Sequence, residues 1–506
     1  MFKFIDDFLN KMTMYRLVLY YLIVLLVVAI IFSFLGFLSY NPIALIFTAS
    51  ILVLVSWISN SVFAGIFKAQ INIESAYITA LILALIITPV MPSNLMDVSF
   101  LVWVAAWSMA TKYIFAISKK HIFNPVALAV ALTAFTIGQS ATWWIGGSIP
   151  MLAFVVLGGL LITRKIHRFD LVLSFFIAAL VTITAFSIQN PISAITKTIL
   201  HTPIFFLAFV MLTEPLTTPP AKSLRIIYGA LVGFLFAPAV HLGSIYSTPE
   251  LALLVGNIFS YLVSPKGKYI LKLKSKKEVG AGTYDFIFGF DKKIKFRPGQ
   301  YMEWTLGHAH SDNRGNRRYF TIASSPTEND LRLGVKFYNN PSSFKKKLLS
   351  MDQEDDIVAA QLSGDFVLPK DEKRKIAFIA GGIGITPFRS MVKYLLDNNE
   401  KRSIVLLYSN RTISDIAYKE IFDQAKEQLV IQTIYTLTDK NSIPPSWSGQ
   451  RGFINEQMIL DEIPDYGERL FYVSGPRSLV TAAEKALLNL GLTKSQIKTD
   501  FFSGFA

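Results

Sequence analysis

The change of character near residue 265 constrains this sequence most strongly. From residue 13 to about residue 264, long apolar runs follow one another with few charges between them. Beyond that point the chain carries charge throughout. Because an apolar run of roughly 20 residues can cross a bilayer as a helix, we predict a polytopic α-helical membrane bundle in residues 1–265 and soluble domains after it.

About ten membrane-spanning helices are expected in the first part, several of them shorter than the roughly 20 residues of an untilted span. The first helix is expected to be retained and not cleaved as a signal, because the N-terminus carries acids and lacks a small-residue cleavage site. The predicted spans are residues 15–39, 42–64, 74–91, 97–117, 122–140, 146–163, 169–188, 200–214, 225–240 and 249–264.

The basic residues indicate the orientation of this bundle. Lys or Arg residues precede the first span and follow every second one, whereas the opposite loops hold only Lys197. Cytoplasmic loops are enriched in Lys and Arg, so both ends of this multi-pass membrane protein, and its soluble part, are predicted to be cytoplasmic. The excess of Lys and Arg over Asp and Glu, 49 against 35, fits this topology and does not predict nucleic-acid binding.

The absence of cysteine narrows the redox chemistry available to the chain. Disulfides, thiolate-held zinc and cysteine-ligated iron–sulfur clusters are excluded from it, and no metal site is predicted. Two stacked haems would need pairs of histidines on facing helices, and no predicted span carries two histidines at a suitable spacing. The histidines of the membrane part are His121, His167, His201 and His241.

Four polar stretches interrupt the membrane part, and each is a candidate site because polar residues are costly in a bilayer. They are NIESAYITALILALIITP (72–89), KHIFNPVALAVAL (120–132), LTEPLTTPP (212–220) and LVGNIFSYLVSP (254–265). In this order they resemble the D subunit of the Rnf ferredoxin:NAD oxidoreductase and the B subunit of the sodium-pumping NADH:quinone reductase. The resemblance implies a membrane flavin: FMN attached to a threonine through its phosphate, or riboflavin.

The loop GQSATWWIGG (138–147) lies where that family carries its flavin-bearing threonine. By this resemblance Thr142 is the candidate for FMN attachment, although the loop is shorter here and no acid precedes the threonine. The alternative is a short hairpin with Trp143 and Trp144 at the membrane interface. The candidates to line a membrane flavin, or else to shape helix ends, are Asn124, Pro125, Thr213, Glu214 and Pro215.

Residues 266–370 predict a closed antiparallel β-barrel, because six short segments read as strands separated by turn residues. Within them RPGQYMEW (297–304) and RRYFTIASSP (317–326) resemble the ferredoxin–NADP reductase superfamily, which implies bound FAD. Its Arg-x-Tyr-Ser/Thr motif stands here as Arg318-Tyr319-Phe320-Thr321. An arginine suits a diphosphate, an aromatic ring stacks on isoalloxazine, and a hydroxyl can hydrogen-bond near flavin N5.

The segment NNPSSFKKKLLSM (339–351) falls where the superfamily places a short helix against the FAD pyrophosphate. Ser342 and Ser343 are suitable N-caps, and the free N–H groups beyond them suit an anion. A simple capped helix is the alternative. SGDFVLP (363–369) resembles the motif that closes the barrel.

Residues 371–506 predict an α/β Rossmann-like domain for NADH or NADPH, since a strand, a glycine-rich turn and a helix follow one another in 375–398. The glycines let the backbone approach a dinucleotide whose pyrophosphate meets the helix N-terminus. Arginines also occur near Arg411 in NADH-using members, so the choice of nicotinamide stays open. The residues expected at the dinucleotide are Gly381, Gly382, Gly384, Thr386, Pro387 and Arg411.

The stretch RLFYVSGPRSLVTAAEKAL (469–487) resembles the superfamily's motif beside the nicotinamide. Ser474 takes the place of the usual cysteine, and Gly475 and Pro476 shape the turn. In the C-terminal TDFFSGFA (499–506), Asp500 is the expected proton partner. Phe505, with Phe502 in reserve, is expected to cover the isoalloxazine; packing of the C-terminus is the alternative.

These expectations combine into a membrane NAD(P)H oxidoreductase. Electrons are expected to pass from NAD(P)H through FAD to a membrane flavin, and then to quinone or an extracytoplasmic acceptor. The alternatives are a haem-containing reductase of the ferric reductase or NADPH oxidase type, and a redox-driven ion pump working with other redox subunits. The residues expected to take part in catalysis are Thr321, Ser474, Asp500 and Phe505.

Overall fold

The computed structural model divides the chain into two units, Met1–Lys266 and Gly267–Ala506. The first unit is helical, and the second contains two six-stranded sheets. The division falls where the apolar runs of the sequence end. The structure describes residues 3–9, 12–67, 73–117, 120–264, 268–290, 293–308, 312, 315–353 and 355–500.

Helices make up most of the described part of the first unit, and every predicted span overlaps at least one of them. A π-helical turn, Leu207–Met211, continues α10, and two short hairpins pair β1 (Ala116–Ile117) with β2 (Lys120–His121) and β3 (His241–Leu242) with β4 (Ile245–Tyr246). The helices are α1 Lys3–Leu9, α2 Met14–Phe34, α3 Pro42–Ile66, α4 Ile73–Ile86, α5 Leu95–Ile114, α6 Pro125–Ile137, α7 Ile149–Ile166, α8 Phe169–Phe186, α9 Pro191–His201, α10 Ile204–Phe206, α11 Lys222–Phe236 and α12 Pro249–Val263.

Several helices are shorter than the predicted spans. Among the described residues, α2, α3, α7 and α8 are long and apolar enough to cross a membrane, and the pair Pro191–His201 and Ile204–Met211, bent by 65°, adds a fifth if it counts as one span. Proline and glycine set some of the early ends: α6 begins at Pro125 and stops at Gly138, whose φ is 68°. The number of ten crossings therefore stays a prediction, and α9 was not among the predicted helices.

Two glycines bring α8 and α11 into backbone contact. A Cβ at Gly229 would lie 2.6 Å from Leu171 O, and one at Gly233 would lie 2.3 Å from Phe175 O. Small residues at such positions allow helices in membrane proteins to pack closely. Glycines four residues apart therefore fix this helix pair.

A non-helical segment runs through the interior of the first unit from Leu212 to Pro220. Its side chains are largely buried, and its hydroxyls serve the backbone: Thr213 Oγ1 donates to Phe209 O over 2.7 Å and Thr218 Oγ1 to Leu212 O over 3.1 Å. Irregular backbone is tolerated within a membrane protein where the protein buries it or where it lines a cavity. The segment therefore marks a candidate site.

The first sheet of the second unit is antiparallel, with the strand order β8-β7-β10-β5-β6-β9. It curls into a half-barrel whose edge strands β8 and β9 meet at one end, where Ala323 N donates to Arg332 O over 2.9 Å. The predicted closed barrel stays a prediction. The elements are β5 Lys268–Gly280, β6 Thr283–Gly289, β7 Tyr301–Thr305, β8 Arg317–Thr321, β9 Leu331–Lys336, helix α13 Ser343–Leu349 and β10 Asp356–Ser363.

The second sheet is parallel, with the order β14-β13-β12-β11-β15-β16 and helices between its strands. Its two central strands, β11 and β12, are buried along their whole length, as expected when helices cover both faces. The elements are β11 Ile376–Gly381, α14 Thr386–Asp397, β12 Ile404–Asn410, α15 Lys419–Leu429, β13 Gln432–Leu437, β14 Gln450–Arg451, α16 Glu456–Glu462, β15 Leu470–Ser474, α17 Arg477–Asn489 and β16 Ile497–Asp500.

Candidate active site

The parallel sheet reverses its strand order between β11 and β15, and ligands of such sheets bind at the carboxyl ends of the strands at this point. The turns after both strands lie in contact: a Cβ at Gly384 would lie 2.5 Å from Gly475 Cα. Gly382 has a φ of 50°, and a Cβ there would meet nothing within 4 Å. The open side of Gly382 and the close packing of the two turns suit the backbone approach that a dinucleotide needs.

The glycine turn leads directly into α14. Thr386 and Pro387 form its first turn, and Thr386 Oγ1 donates to Ile383 O over 3.2 Å. Pro476 is the N-cap residue of α17 on the facing turn. Arg411 directly follows β12 and lies on the surface: its side chain is 79% exposed, and its Nε is 3.4 Å from Asp439 Oδ2.

Three of the predicted catalytic residues meet where the two sheets adjoin. Thr321 ends β8 and Asp500 ends β16, and the Thr321 hydroxyl lies 3.5 Å from Asp500 Oδ2. Ser474 is the register partner of Asp500 on the neighbouring strand. Burial raises the pKa of Asp500 to about 7; the Thr321 hydrogen bond acts against this, and the charge of Asp365 adds to it. A carboxyl with this pKa can exchange a proton at neutral pH.

The predicted flavin motif divides between the two faces of β8. Arg318 is buried with its guanidinium 5.1 Å from the centre of the Phe344 ring, and the Phe320 ring lies 6.0 Å from that same ring. Tyr319 faces the other way and donates to Glu303 Oε2 over 2.9 Å. The guanidinium of Arg318 suits the diphosphate of FAD, and the two aromatic rings beside α13 suit its ring system.

The start of α13 already holds a carboxylate. Ser342 caps the helix by accepting from Lys345 N over 3.4 Å. Ser343 N donates to Asp312 Oδ2, Asp312 N donates to Ser343 Oγ, and His308 Nε2 lies beside the same hydroxyl, each at 2.9 Å. Neither Asp312 nor His308 was predicted from the sequence, since neither belongs to a motif. A diphosphate would have to share this amide with Asp312 or displace its carboxylate.

The remaining predicted residues of the second unit, Phe502 and Phe505, lie outside the described residues. Their placement over an isoalloxazine ring therefore stays a prediction.

The polar stretches of the first unit converge on Glu214. Its carboxylate accepts from Asn124 Nδ2 over 2.9 Å and from Thr217 Oγ1 over 3.2 Å, and its Oε1 lies 3.2 Å from His121 Nε2. Asn257 Oδ1 accepts from Asn124 N over 2.7 Å. Three of the four stretches, far apart in sequence, thus form one polar cluster; Thr213 lies beside it but bonds to its own helix.

The loop that carries Thr142 closes the end of α4. Thr142 is exposed, and its Oγ1 donates to Ile86 O over 3.2 Å and accepts from Thr88 Oγ1 over 3.1 Å. The tryptophans considered for the membrane interface are buried instead: Trp143 Nε1 donates to Glu250 Oε2 over 3.1 Å, and Trp144 Nε1 donates to Ala84 O over 3.2 Å. In these buried positions, each indole N–H has a hydrogen-bond acceptor inside the bundle.

Comparison with known proteins agrees with this division of the chain. The sequence profile described as "Oxidoreductase NAD-binding domain" matches residues 378–485, and that of the "NQR2, RnfD, RnfE family" matches residues 145–266. The NADH-cytochrome b5 reductase 1 of Aspergillus terreus is 30% identical over 237 residues, which cover 45% of this chain and 79% of that protein. This chain belongs to the ferredoxin–NADP reductase superfamily.

Other reductases are also similar to this superfamily member. The glycine betaine monooxygenase reductase subunit of Pseudomonas aeruginosa is 26% identical over 221 residues, 43% of this chain and 59% of that protein. The chain thus spans little more than half of that relative. The crystal structure of the Amycolatopsis cytochrome P450 reductase GcoB has a TM-score of 0.42 at 20% identity and covers 47% of this chain and 71% of that one.

Proposed function

We propose that this chain is a membrane NAD(P)H oxidoreductase. Its reductase unit takes electrons from NADH or NADPH through FAD, and its membrane unit passes them through a second flavin to quinone or another acceptor. One observation carries the proposal: a single chain joins a reductase of the ferredoxin–NADP reductase superfamily to a helical unit matched by the NQR2, RnfD, RnfE family.

The residues of the reductase unit would bind FAD and the dinucleotide, orient them, and hold a proton. Arg318 and Phe320 would hold FAD, and the turns at Gly382 and Gly475 would hold the dinucleotide. FAD, when bound, supplies the exchange between two-electron and one-electron transfer. Thr321 and Asp500 place a hydroxyl and a titratable carboxyl at the meeting point of the two sheets. No side chain is required as a nucleophile.

In the membrane unit, two places are candidates for the second flavin. The cluster around Glu214 and Asn124 offers a carboxylate, amides and an imidazole within the bundle, and polar groups in such a position are functional candidates. Thr142 offers an exposed hydroxyl for attachment of FMN through its phosphate. The membrane unit and the lipid around it would thus keep the electron path out of water.

Spectra of the purified full chain before and after addition of NADH test the proposal. We expect an oxidised flavin spectrum that NADH bleaches, and two flavins for each chain. Acid precipitation separates the modes of attachment: flavin retained in the pellet of the parent and lost in Thr142→Val indicates a covalent link, whereas full release indicates bound riboflavin or FMN. A single flavin per chain would contradict the relay, and a Soret band would favour the haem alternative.

A further inference from the structure

A closed ring of five buried or half-buried side chains joins the two sheets of the reductase unit, and none of the five is assigned above to a cofactor. Its members come from four separate segments of the chain. The ring consists of Asp285 on β6, Glu328 in the loop before β9, Arg332 on β9, Arg389 on α14 and Tyr418 before α15.

The contacts of this ring alternate in charge. Arg389 holds Glu328 through both guanidinium nitrogens, with Nη2 donating to Oε1 over 2.9 Å. Glu328 Oε1 lies 3.2 Å from Arg332 Nε, and Arg332 Nη1 donates to Asp285 Oδ2 over 2.9 Å. Tyr418 OH donates to Asp285 Oδ1 over 3.1 Å, and its ring lies 5.7 Å from the Arg389 guanidinium. Two arginines thus match two carboxylates.

The arginines of the ring favour the ionised form of Glu328. Burial alone would raise the pKa of Glu328, but the hydrogen bonds and the charge of Arg389 outweigh it and hold this pKa below its ordinary value. Breaking such a pair by removing one partner leaves an uncompensated buried charge. The five side chains are therefore expected to act as one unit.

The backbone is adapted to let Tyr418 reach across the sheet. Tyr418 has a φ of 58°, a conformation that an aromatic residue rarely adopts and that persists only where the surroundings enforce it. A Cβ at Gly334, the register partner of Asp285 on β9, would lie 2.5 Å from the Tyr418 hydroxyl. A glycine and a strained tyrosine thus both serve the contact with Asp285.

The ring connects the two segments on which the proposed chemistry depends. Arg389 lies one turn beyond Thr386, at the start of the helix that follows the glycine turn, and Arg389 Nη1 also donates to Ala323 O over 2.9 Å. Ala323 lies two residues after Thr321. The neighbouring Ser390 Oγ donates to Ser324 O over 2.6 Å.

We propose that this ring positions the nicotinamide-binding turn against the flavin-binding strand, so that its members are positioning residues for hydride transfer. The inference rests on the proposed function, because it presumes that NAD(P)H reduces a flavin in this unit. The ring acts on the two ligands only indirectly, through Ala323 and the first turn of α14.

The test compares Tyr418→Phe with Tyr435→Phe in the full detergent-purified chain. Tyr418→Phe removes the bond to Asp285 and keeps the aromatic ring. Tyr435 lies in the same half of the unit, and its hydroxyl is buried without a hydrogen-bond partner among the described residues. In rapid mixing with NADH, we expect flavin reduction per bound FAD to slow about tenfold in Tyr418→Phe and to stay near the parent rate in Tyr435→Phe, since small misplacements cost large factors in rate.

Hydrogen–deuterium exchange supplies a readout independent of turnover. Backbone amides in 323–328 and 383–390 should exchange faster in Tyr418→Phe than in the parent. FAD content and the KM for NADH should stay within about twofold of the parent, because the ring does not contact either ligand. Equal rates and equal exchange in Tyr418→Phe and the parent would overturn the inference. Failure of NADH to bleach the parent would instead overturn the proposed function.

Discussion

The Thr321 hydroxyl lies 3.5 Å from Asp500 Oδ2, although the two residues are 179 positions apart and end strands of different sheets. Because burial raises the pKa of Asp500 to about 7, this carboxyl is partly protonated at neutral pH. A hydroxyl and a titratable carboxyl at one point can hold a proton for a neighbouring redox group.

We expect Asp500→Asn to change the pH dependence of flavin reduction by NADH. The parent should show an inflection near pH 7 that the variant lacks, and the variant should be slower by about tenfold or more, since a positioned proton donor contributes at least this much. Stopped-flow bleaching between pH 5.5 and 8.5 measures both. Asp365→Asn should keep the inflection but move it to lower pH, because it removes a charge that raises the pKa of Asp500. An unchanged inflection in Asp500→Asn would refute the assignment.

The same carboxyl predicts a trend in stability. A folded-state pKa above the unfolded value means that ionisation disfavours the folded state. The parent should therefore lose stability as the pH rises from about 4 to about 7, and Asp500→Asn should lose less over this window. Thermal unfolding followed at the bound flavin reports the difference; parallel curves for the two proteins would contradict the expectation.

Glu214→Gln should separate the two parts of the proposed electron path. The amide keeps the shape of the side chain but removes the charge that faces His121, Asn124 and Thr217. We expect NADH:ferricyanide activity of the reductase unit to be unchanged and quinone reduction in liposomes to fall about tenfold, as polar groups within a bundle serve function. Glu74→Gln, which removes a charge paired with Arg16 elsewhere in the bundle, is the matched control. Equal losses of both activities would argue against a role in the membrane path.

Removing one partner of the ion pair between Asp170 and Arg225 should destabilise the contact of α8 with α11. Arg225 Nη2 donates to Asp170 Oδ2 over 2.8 Å, and both side chains are 13% exposed. Arg225→Leu leaves a buried carboxylate alone and should cost about 3 kcal/mol. The double variant Asp170→Leu/Arg225→Leu should recover most of this loss in thermal unfolding in detergent. A double variant as unstable as the single one would show that the pair itself matters more than the orphaned charge.

Gly233→Val should destabilise the bundle by about 1–3 kcal/mol, because the added side chain would meet the Phe175 carbonyl. Gly65→Val is the matched control, since Gly65 is exposed and a Cβ there meets nothing within 4 Å. Unfolding of both variants in detergent, followed by circular dichroism, measures the difference. A melting temperature for Gly233→Val equal to that of the control would contradict the close packing.

Elements were predicted correctly from the sequence where a single local pattern determines them. An apolar run coincides with each helix from α2 to α12 except α9. The strand, glycine turn and helix at 376–397 also appear as expected. Span lengths were less accurate, because Pro125, Gly138 and the buried segment 212–220 end or interrupt helices inside apolar runs. A hydropathy pattern does not show where such residues end or interrupt a helix.

Contacts between distant residues were largely beyond reach. Nothing near Trp143 in the sequence signals that Glu250 will accept its indole N–H, so burial of the loop was missed. The same holds for Tyr418 and Asp285, which belong to no motif and meet only when the two sheets are in place. A left-handed tyrosine is invisible in the sequence, whereas a left-handed glycine is a reasonable expectation.

The contact of α8 with α11 at Gly229 and Gly233 also limits where a chromophore can reside. With carbonyl oxygens of one helix lying against the Cα atoms of the other, a planar tricyclic ring cannot intercalate between them. The tightly packed pair of α8 and α11 therefore has a structural role and leaves no space for a flavin between the two helices. Spin labels or quenchers attached to α8 or α11 would therefore report on the protein and not on a bound flavin.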